Sequence, residues 1–252
     1  MDEVSVAASQ VPTLLEWTPN LWRGFQTTML VTVLGALLMF ALSFVLGMMA
    51  HSQHLLVRGA ARTVIVFFRG TSLLIQLFWF YFALPLLGIS LDPVFAGVLA
   101  LGLNYGAYGA EVVRGSINAV HPTQWEAATA LNLSRWRRMQ RVIWPQAVVL
   151  MIPAMNNLFI QLLKSTPLLY AIQIVDLLTM GEALRFQGGD VAVIYTALLV
   201  IYFVTAYFFT FLFSLAEVRG KAKLGQHQGV ASALRELVRS KSPEPERVVA
   251  GR

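Results

Sequence analysis

The sequence predicts an all-α integral membrane protein with five transmembrane helices. Hydrophobic residues make up 57% of the chain, charged residues make up 13%, and the mean hydropathy is +0.64. This composition excludes an ordinary soluble domain. The apolar residues are gathered into runs of about 20 residues, which is the helix length needed to cross a hydrocarbon core of about 30 Å.

The predicted spans are separated by short polar connections. They cover residues 25–50, 64–87, 93–113, 146–163 and 191–216. Glycine and proline inside such runs are tolerated in membrane helices, and Pro153 predicts a kink in the fourth span.

The charge of the connections changes sign from one span to the next. Residues 51–63, 114–145 and 217–252 are net basic, whereas residues 1–23, 88–92 and 170–190 are net acidic. Because lysine and arginine concentrate in cytoplasmic loops, the N-terminus is expected outside and the C-terminus in the cytoplasm. The net charge of +6 is therefore an orientation signal, and nucleic acid is not an expected partner.

Three segments follow from this topology. Residues 1–22 form an extracytoplasmic N-terminal segment without a cleavable signal, residues 23–218 form the transmembrane domain, and residues 219–252 form a basic cytoplasmic tail. Residues 114–145 form the main cytoplasmic loop. The tail is predicted to be flexible beyond its first basic residues, which are expected to contact anionic membrane lipid.

The loop before the fourth span predicts two short helices joined at a corner. Thr123 followed three residues later by Glu126 has the spacing of a capping box, so the first helix is expected to begin there. Asn132 tolerates the left-handed conformation that often ends a helix. Ser134 is the expected cap of a second, arginine-rich helix, and Pro145 is expected to begin the next segment.

The same loop carries a recognisable motif. Glu126, Ala127 and Ala128, followed by Asn132 and then by an apolar stretch that ends in proline, resemble the EAA loop of ABC-importer permeases. Two positions depart from the usual pattern, because Asn132 stands where that family usually has glycine and Trp144 where it usually has leucine.

Other segments resemble the polar-amino-acid branch of that family, in order, through residues 20–220. They are residues 68–77, 110–115, 124–128 and 163–166. The resemblance implies the type I ABC-importer permease fold and a multi-pass location in the bacterial plasma (inner) membrane. It implies a transmembrane subunit that takes up polar amino acids or related small zwitterions, and two segments also resemble permeases for ectoine-type compatible solutes.

The resemblance also implies partners and a coupling site. The expected partners are ABC ATPase subunits, a second permease subunit (identical or paralogous) and an extracytoplasmic solute-binding protein. ATP and magnesium would bind to the ATPase, since this sequence has no glycine-rich phosphate-binding motif. The implied ATPase-coupling residues are Gln124, Trp125, Glu126, Ala127, Ala128 and Asn132. A simpler interpretation of Glu126 is a capping acid alone, and the arginines that follow are either orientation signals or ATPase contacts.

Polar residues recur along one face of the fourth span. Such residues are costly in lipid, so they are expected either to hydrogen-bond between helices or to line an aqueous translocation path. Lys164 favours the path, although it could also extend to the outer membrane interface. The predicted path residues are Asn157, Gln161, Lys164, Ser165 and Thr166, with Gln76 from the second span.

No catalytic or metal-binding constellation is predicted. The chain has no cysteine, and its four histidines do not lie near acids at ligand spacing. Arg69 and Glu111 are expected to form an ion pair between the second and third spans. The alternative function is a membrane subunit of an ATP-independent transporter or channel, for which paired acids inside the spans would be expected.

Overall fold

The structure is a computed structural model that describes the chain over residues 16–223, with side chains to residue 219. All of its regular elements in this range are helical. The α-helices are α1 (Thr18–Ala50), α2 (Leu55–Gly70), α3 (Leu73–Phe78), α4 (Pro93–Asn118), α5 (Pro122–Ala130), α6 (Arg135–Arg138), α7 (Trp144–Ser165), α8 (Leu177–Phe186) and α9 (Val191–Lys223). Most of the predicted N-terminal segment and almost all of the tail lie outside the described residues.

Helices α1 and α4 form the centre of the bundle. A Cβ atom at Gly102 would lie 2.5 Å from a methyl carbon of Leu38, and one at Gly109 would overlap the hydroxyl of Ser43. These contacts show that α4 presents small residues to α1, which lets the two helices approach closely, as is common where lipid supplies no hydrophobic driving force. The main hydrophobic core continues from this contact onto α7.

The segment predicted as the second span is broken rather than continuous. Helix α2 and the helical stretch Leu73–Leu87 meet at an angle of 101° across two residues. The freed carbonyl of Phe68 accepts hydrogen bonds from the side-chain amides of Gln76 and Asn104, each at 3.0 Å. A break inside a membrane protein is tolerated because such neighbours satisfy the exposed backbone groups.

Within residues 16–223, three helical stretches are long and apolar enough to cross a membrane. They are Thr18–Ala50, Arg135–Ile172 and Val191–Arg219, with the bent pair as a fourth if it counts as one span. Helix α4, at the place of the predicted third span, is not among them. It contains Glu111, Arg114 and five glycines, which lower its hydropathy. The structure therefore confirms an all-helical membrane protein, and five spans remain a prediction.

A small second core lies at the start of α1. Leu177 and Leu184 of α8 pack there with Ile194 and Leu198 of α9. Trp17, just before α1, and the α1 side chains Leu21 and Phe25 cover this cluster. We call this arrangement the α8 cap.

Candidate functional site

The corner between α5 and α6 is built mainly from local hydrogen bonds. Helix α5 begins at Pro122, and the Nδ1 atom of His121 accepts a hydrogen bond from the Thr123 amide at 3.4 Å. The prediction that Thr123 caps the helix is therefore wrong by two residues, because proline is well suited to the first helical position and the cap precedes it. Glu126 is exposed, and its carboxylate makes no hydrogen bond or ion pair with residues 16–219.

Asn132 ends α5 in the left-handed conformation, as the sequence predicts. Its φ angle is +53°. The Asn132 amide donates to the Thr129 carbonyl at 2.9 Å, and the Leu133 amide donates to the Ala128 carbonyl at 3.2 Å. This pair of hydrogen bonds is a Schellman motif, so asparagine here supports the turn that glycine usually supports in such loops.

One side of α5 is anchored to the chain and the other is free. Ala128 is only 2% exposed, and the Arg138 guanidinium lies 5.5 Å from the centre of the Trp125 ring. The exposed side carries Glu126 and Ala127. Of the two alanines in the motif, Ala127 is thus available to another protein, whereas Ala128 packs inside this chain.

Helix α6 leads into α7 without interruption. The Ser134 hydroxyl accepts a hydrogen bond from the Arg137 amide at 3.4 Å, which confirms the predicted cap. Pro145 is the second residue of α7, as predicted for the start of the next segment, although α7 is continuous with α6. A π-helical turn, Met139–Ile143, joins the two helices, and the Trp144 amide reaches back to the Met139 carbonyl. A π-turn widens the helix locally, which relieves the contact between a proline ring and the preceding turn.

Some polar side chains of α7 are exposed on the surface of the bundle, and others face its interior. Asn157, Gln161 and Lys164 are exposed, although they lie in the apolar stretch Arg135–Ile172. Ser165 is half-buried, and its hydroxyl lies 2.6 Å from that of Tyr105.

These features match a known family. The chain matches the family described as "Binding-protein-dependent transport system inner membrane component" over residues 43–219. The chain belongs to this family. As a permease subunit of this type, it is a multi-pass protein of the inner membrane, which confirms the predicted location.

Relatives of the permease have concordant names. It is 45% identical over 203 residues to a "Probable amino-acid ABC transporter permease protein y4tF" of Sinorhizobium fredii, covering 78% of this chain and 85% of the relative. It is 32% identical over 209 residues to the "Glutamine transport system permease protein GlnP" of Escherichia coli, covering 81% and 94%. These matches confirm the resemblance to amino-acid ABC-importer permeases.

A solved structure supports the same fold. The permease superposes on a chain of an amino acid ABC transporter crystallised with histidines, with a TM-score of 0.77 and 32% identity. The match covers 82% of this chain and 96% of the other. The type I ABC-importer permease fold is thereby confirmed.

Two of the predicted path residues lie in the interior of the permease. Gln76 is 6% exposed, and its amide nitrogen bonds the Thr71 hydroxyl at 2.6 Å as well as the Phe68 carbonyl. Thr166 is fully buried, and its hydroxyl donates to the Leu163 carbonyl at 2.8 Å. Both side chains satisfy backbone groups at the ends of helical segments, and their assignment to the path remains a prediction.

The predicted ion pair between Arg69 and Glu111 is present. The Arg69 guanidinium lies 3.7 Å from one carboxylate oxygen of Glu111, and that of Arg114 lies 2.5 Å from the other. The carboxylate thus connects α2 to α4 beside the break that follows α2.

Sequence reasoning missed one buried acid. Asp176 is fully buried at the start of α8. The sequence could have predicted Asp176 as an N-cap residue, because it stands just before an apolar helix. Its burial could not be inferred, since it depends on contacts with α1.

Proposed function

We propose that this permease forms the translocation path of an ABC importer for polar amino acids or related small zwitterions. The observation that carries the proposal is the row of exposed polar side chains, Asn157, Gln161 and Lys164, inside an apolar membrane-crossing stretch. Amide and ammonium groups facing lipid are costly, so this face needs water, substrate or another protein beside it. The amino-acid transport named for its relatives supports the substrate class.

The single chain is too small to enclose a gated path. We therefore propose five spans with the N-terminus outside and the C-terminus in the cytoplasm, paired with a second permease subunit that is identical or paralogous. Two ATPase subunits would bind on the cytoplasmic side and hold ATP and magnesium. A solute-binding protein would deliver substrate from outside, and the permease itself would be non-catalytic.

The continuity of α6 with α7 suggests how the ATPase moves the path. The helical stretch Arg135–Ile172 runs from the α5 corner to the polar face. Arg138, near its start, holds Trp125 by its guanidinium and donates a hydrogen bond to Thr129 at 2.6 Å. A displacement of α5 by closing ATPase subunits would therefore tilt this stretch, and with it the polar face, which is the basis of alternating access.

Charge reversal at Glu126 tests the coupling. The Glu126→Lys permease is expected to insert normally but to lose uptake, while ATP hydrolysis by the assembled transporter continues without transport. The control is Glu126→Asp, which keeps the negative charge at the same exposed position. Normal uptake by the Glu126→Lys transporter would remove this residue from the coupling surface.

The substrate path is tested separately at Lys164. Lys164→Ala is expected to reduce the maximal uptake rate while assembly with the ATPase is retained, and Leu168→Ala, also exposed one turn further, serves as the control. Unchanged uptake kinetics would show that Lys164 is not part of the path and would favour a contact with the membrane interface. Uptake by the permease in the absence of any ATPase would instead favour the ATP-independent transporter or channel.

A further inference from the structure

Asp176 is a buried acid with one unsatisfied oxygen. Its Oδ1 atom accepts hydrogen bonds from the amide and the hydroxyl of Thr179, at 2.8 and 2.7 Å. Its Oδ2 atom is buried and accepts no hydrogen bond from any described residue. The residue as a whole is 0% exposed.

Capping of α8 does not explain why this residue is an acid. The cap uses only Oδ1, and asparagine caps helices about as well as aspartate. An ionised carboxylate with a buried, unpaired oxygen is strongly disfavoured, whereas the neutral acid is tolerated much better. The carboxyl group therefore has a reason to be neutral in this arrangement.

Asp176 lies where α8 meets α1. A Cβ atom on Gly24 would lie 2.7 Å from the Asp176 carbonyl oxygen, so the two backbones are in direct contact. The Thr28 hydroxyl accepts a hydrogen bond from the Leu177 amide at 3.1 Å and donates one to the Gly24 carbonyl at 3.0 Å. The backbone of Asp176 is therefore held directly against α1, and separation of α8 from α1 would open this site to water.

The charged groups of the neighbouring helices do not account for the raised pKa of Asp176. Burial is the main cause that raises the pKa of Asp176 above its ordinary value of 3.8, and hydrogen bonds from Thr179 oppose the shift. No neighbouring charge contributes to it. The titratable or charged groups nearest to it on the elements packed against α8 are Arg23 on α1, Tyr170 on the 3-10 turn Thr166–Ile172, Glu182 and Arg185 on α8, and Asp190, Tyr195 and Tyr202 at or on α9. Glu182 and Arg185 pair with each other at 2.7 Å, and Tyr202 interacts electrostatically with Asp176.

We propose that Asp176 is a pH-sensitive latch, which holds α8 against α1 while its carboxyl group is neutral and releases α8 when that group ionises. In the released state the carboxyl group is hydrated, so its pKa returns toward the ordinary value. The docked state binds the proton more tightly. Docking is therefore strongest below pH 3.8 and weakens as the pH rises through the raised pKa.

The latch goes beyond the proposed transport function and does not depend on it. Its direct consequence is exposure of the α8 cap, in which Leu184 is 1% exposed while α8 is docked. Phe186, two residues further on the same helix, is 73% exposed. The docked and released states therefore differ in the accessibility of one position and not of the other.

Cysteine labelling of the full-length permease in lipid nanodiscs tests the latch. The chain has no native cysteine, so Leu184→Cys and Phe186→Cys each introduce a single thiol. The ratio of their labelling rates cancels the intrinsic ionisation of the thiol. Because opening can increase by up to tenfold per pH unit between the released and the docked pKa, the ratio is expected to rise with pH from the ordinary value of 3.8 upward and to level off once Asp176 is ionised in both states.

Two substitutions separate the latch from simple capping. Asp176→Asn keeps a side chain that can accept the N-cap hydrogen bonds of α8 but cannot ionise, so its labelling ratio is expected to be independent of pH. Asp176→Ala loses these N-cap hydrogen bonds, so its labelling ratio is expected to be high at every pH. A ratio that does not change with pH in the permease with native Asp176, or that changes equally in Asp176→Asn, would overturn the proposal.

Infrared spectroscopy keeps the test decisive if Asp176→Asn does not fold. Asp176 is one of only four aspartates in the chain, so isotopic labelling of aspartate separates the bands of these four carboxyl groups from those of the glutamates. The band of the protonated acid is expected to disappear over the same pH range in which Leu184→Cys becomes accessible. Loss of the protonated-aspartate band in a single step at the ordinary value of 3.8 would overturn the latch.

Discussion

The α5 corner lies near His51 at the end of α1, and the α8 cap packs against the start of α1, yet the two are held in opposite ways. The corner is closed by hydrogen bonds between residues close in sequence, such as Asn132 to Thr129. The cap is closed by contacts between distant residues, such as Thr28 to Leu177. A locally closed helix can leave one side free for a partner, whereas a helix held by distant contacts must bury its polar groups inside the chain.

The largest effect is expected for Gly24→Ala, which disrupts the α8 cap where the backbones of α1 and α8 come closest. Gly24→Ala would place a methyl group 2.7 Å from the Asp176 carbonyl oxygen, and neither backbone can move without separating α8 from α1. Overpacking of this kind is expected to reduce the free energy of unfolding by about 3 kcal/mol. Thermal unfolding in detergent micelles measures it.

Gly59→Ala is the matched control for that substitution. A Cβ atom at Gly59 meets nothing within 4 Å, and the residue lies inside α2. Alanine is a better helix former than glycine, so this variant is expected to gain up to about 1 kcal/mol. Equal melting temperatures for the two variants would show that the close contact at Gly24 does not hold the cap.

A smaller effect is expected at the turn that closes the corner. Asn132→Val would place a β-branched residue at a φ of +53°, which is expected to cost about 1–2 kcal/mol, whereas Asn132→Gly is expected to be neutral or slightly stabilising. Because the strain is local, Asn132→Val should expose Ala128→Cys to labelling without exposing Leu184→Cys. Simultaneous exposure of both thiols would contradict the separation of the two regions.

The smallest expected effect is the pH dependence of the α5 corner. Its direction is opposite to the pH dependence of the Asp176 latch. Burial, and then the charge of Arg114, lower the pKa of His51, whose ring lies 6.5 Å from that of Trp125. A lowered histidine pKa means that stability is full above the ordinary value of 6.5 and is lost as the pH falls through the folded value. Acid is thus expected to loosen the corner, while base loosens the cap.

Labelling of Ala128→Cys relative to Ala127→Cys measures this effect. The ratio is expected to rise about twofold between pH 7.5 and pH 5.5, because His51 is only partly buried. The His51→Gln permease should show no such rise. A rise that persists in His51→Gln would assign the acid sensitivity to another group.

Prediction from sequence succeeded where the evidence was local or compositional. The left-handed turn at Asn132 and the cap at Ser134 depend on a few consecutive residues, and both are confirmed. It failed where one residue changes the start of a helix or where two apolar runs look continuous. Pro122 moved the start of α5, and the break after Gly70 interrupts an apolar run whose composition does not reveal a bend.

The sequence by itself determined that this protein is a helical membrane permease with an exposed EAA loop, because hydropathy, charge and short motifs act over neighbouring residues. Only the tertiary structure decided which polar side chains are buried inside the bundle. Gln76 shares the Phe68 carbonyl with the Asn104 side chain of α4, and the Asp176 backbone lies against Gly24 of α1, and no local pattern records these meetings. Burial is a property of the whole packed bundle, and the raised pKa of a buried acid such as Asp176 follows from it.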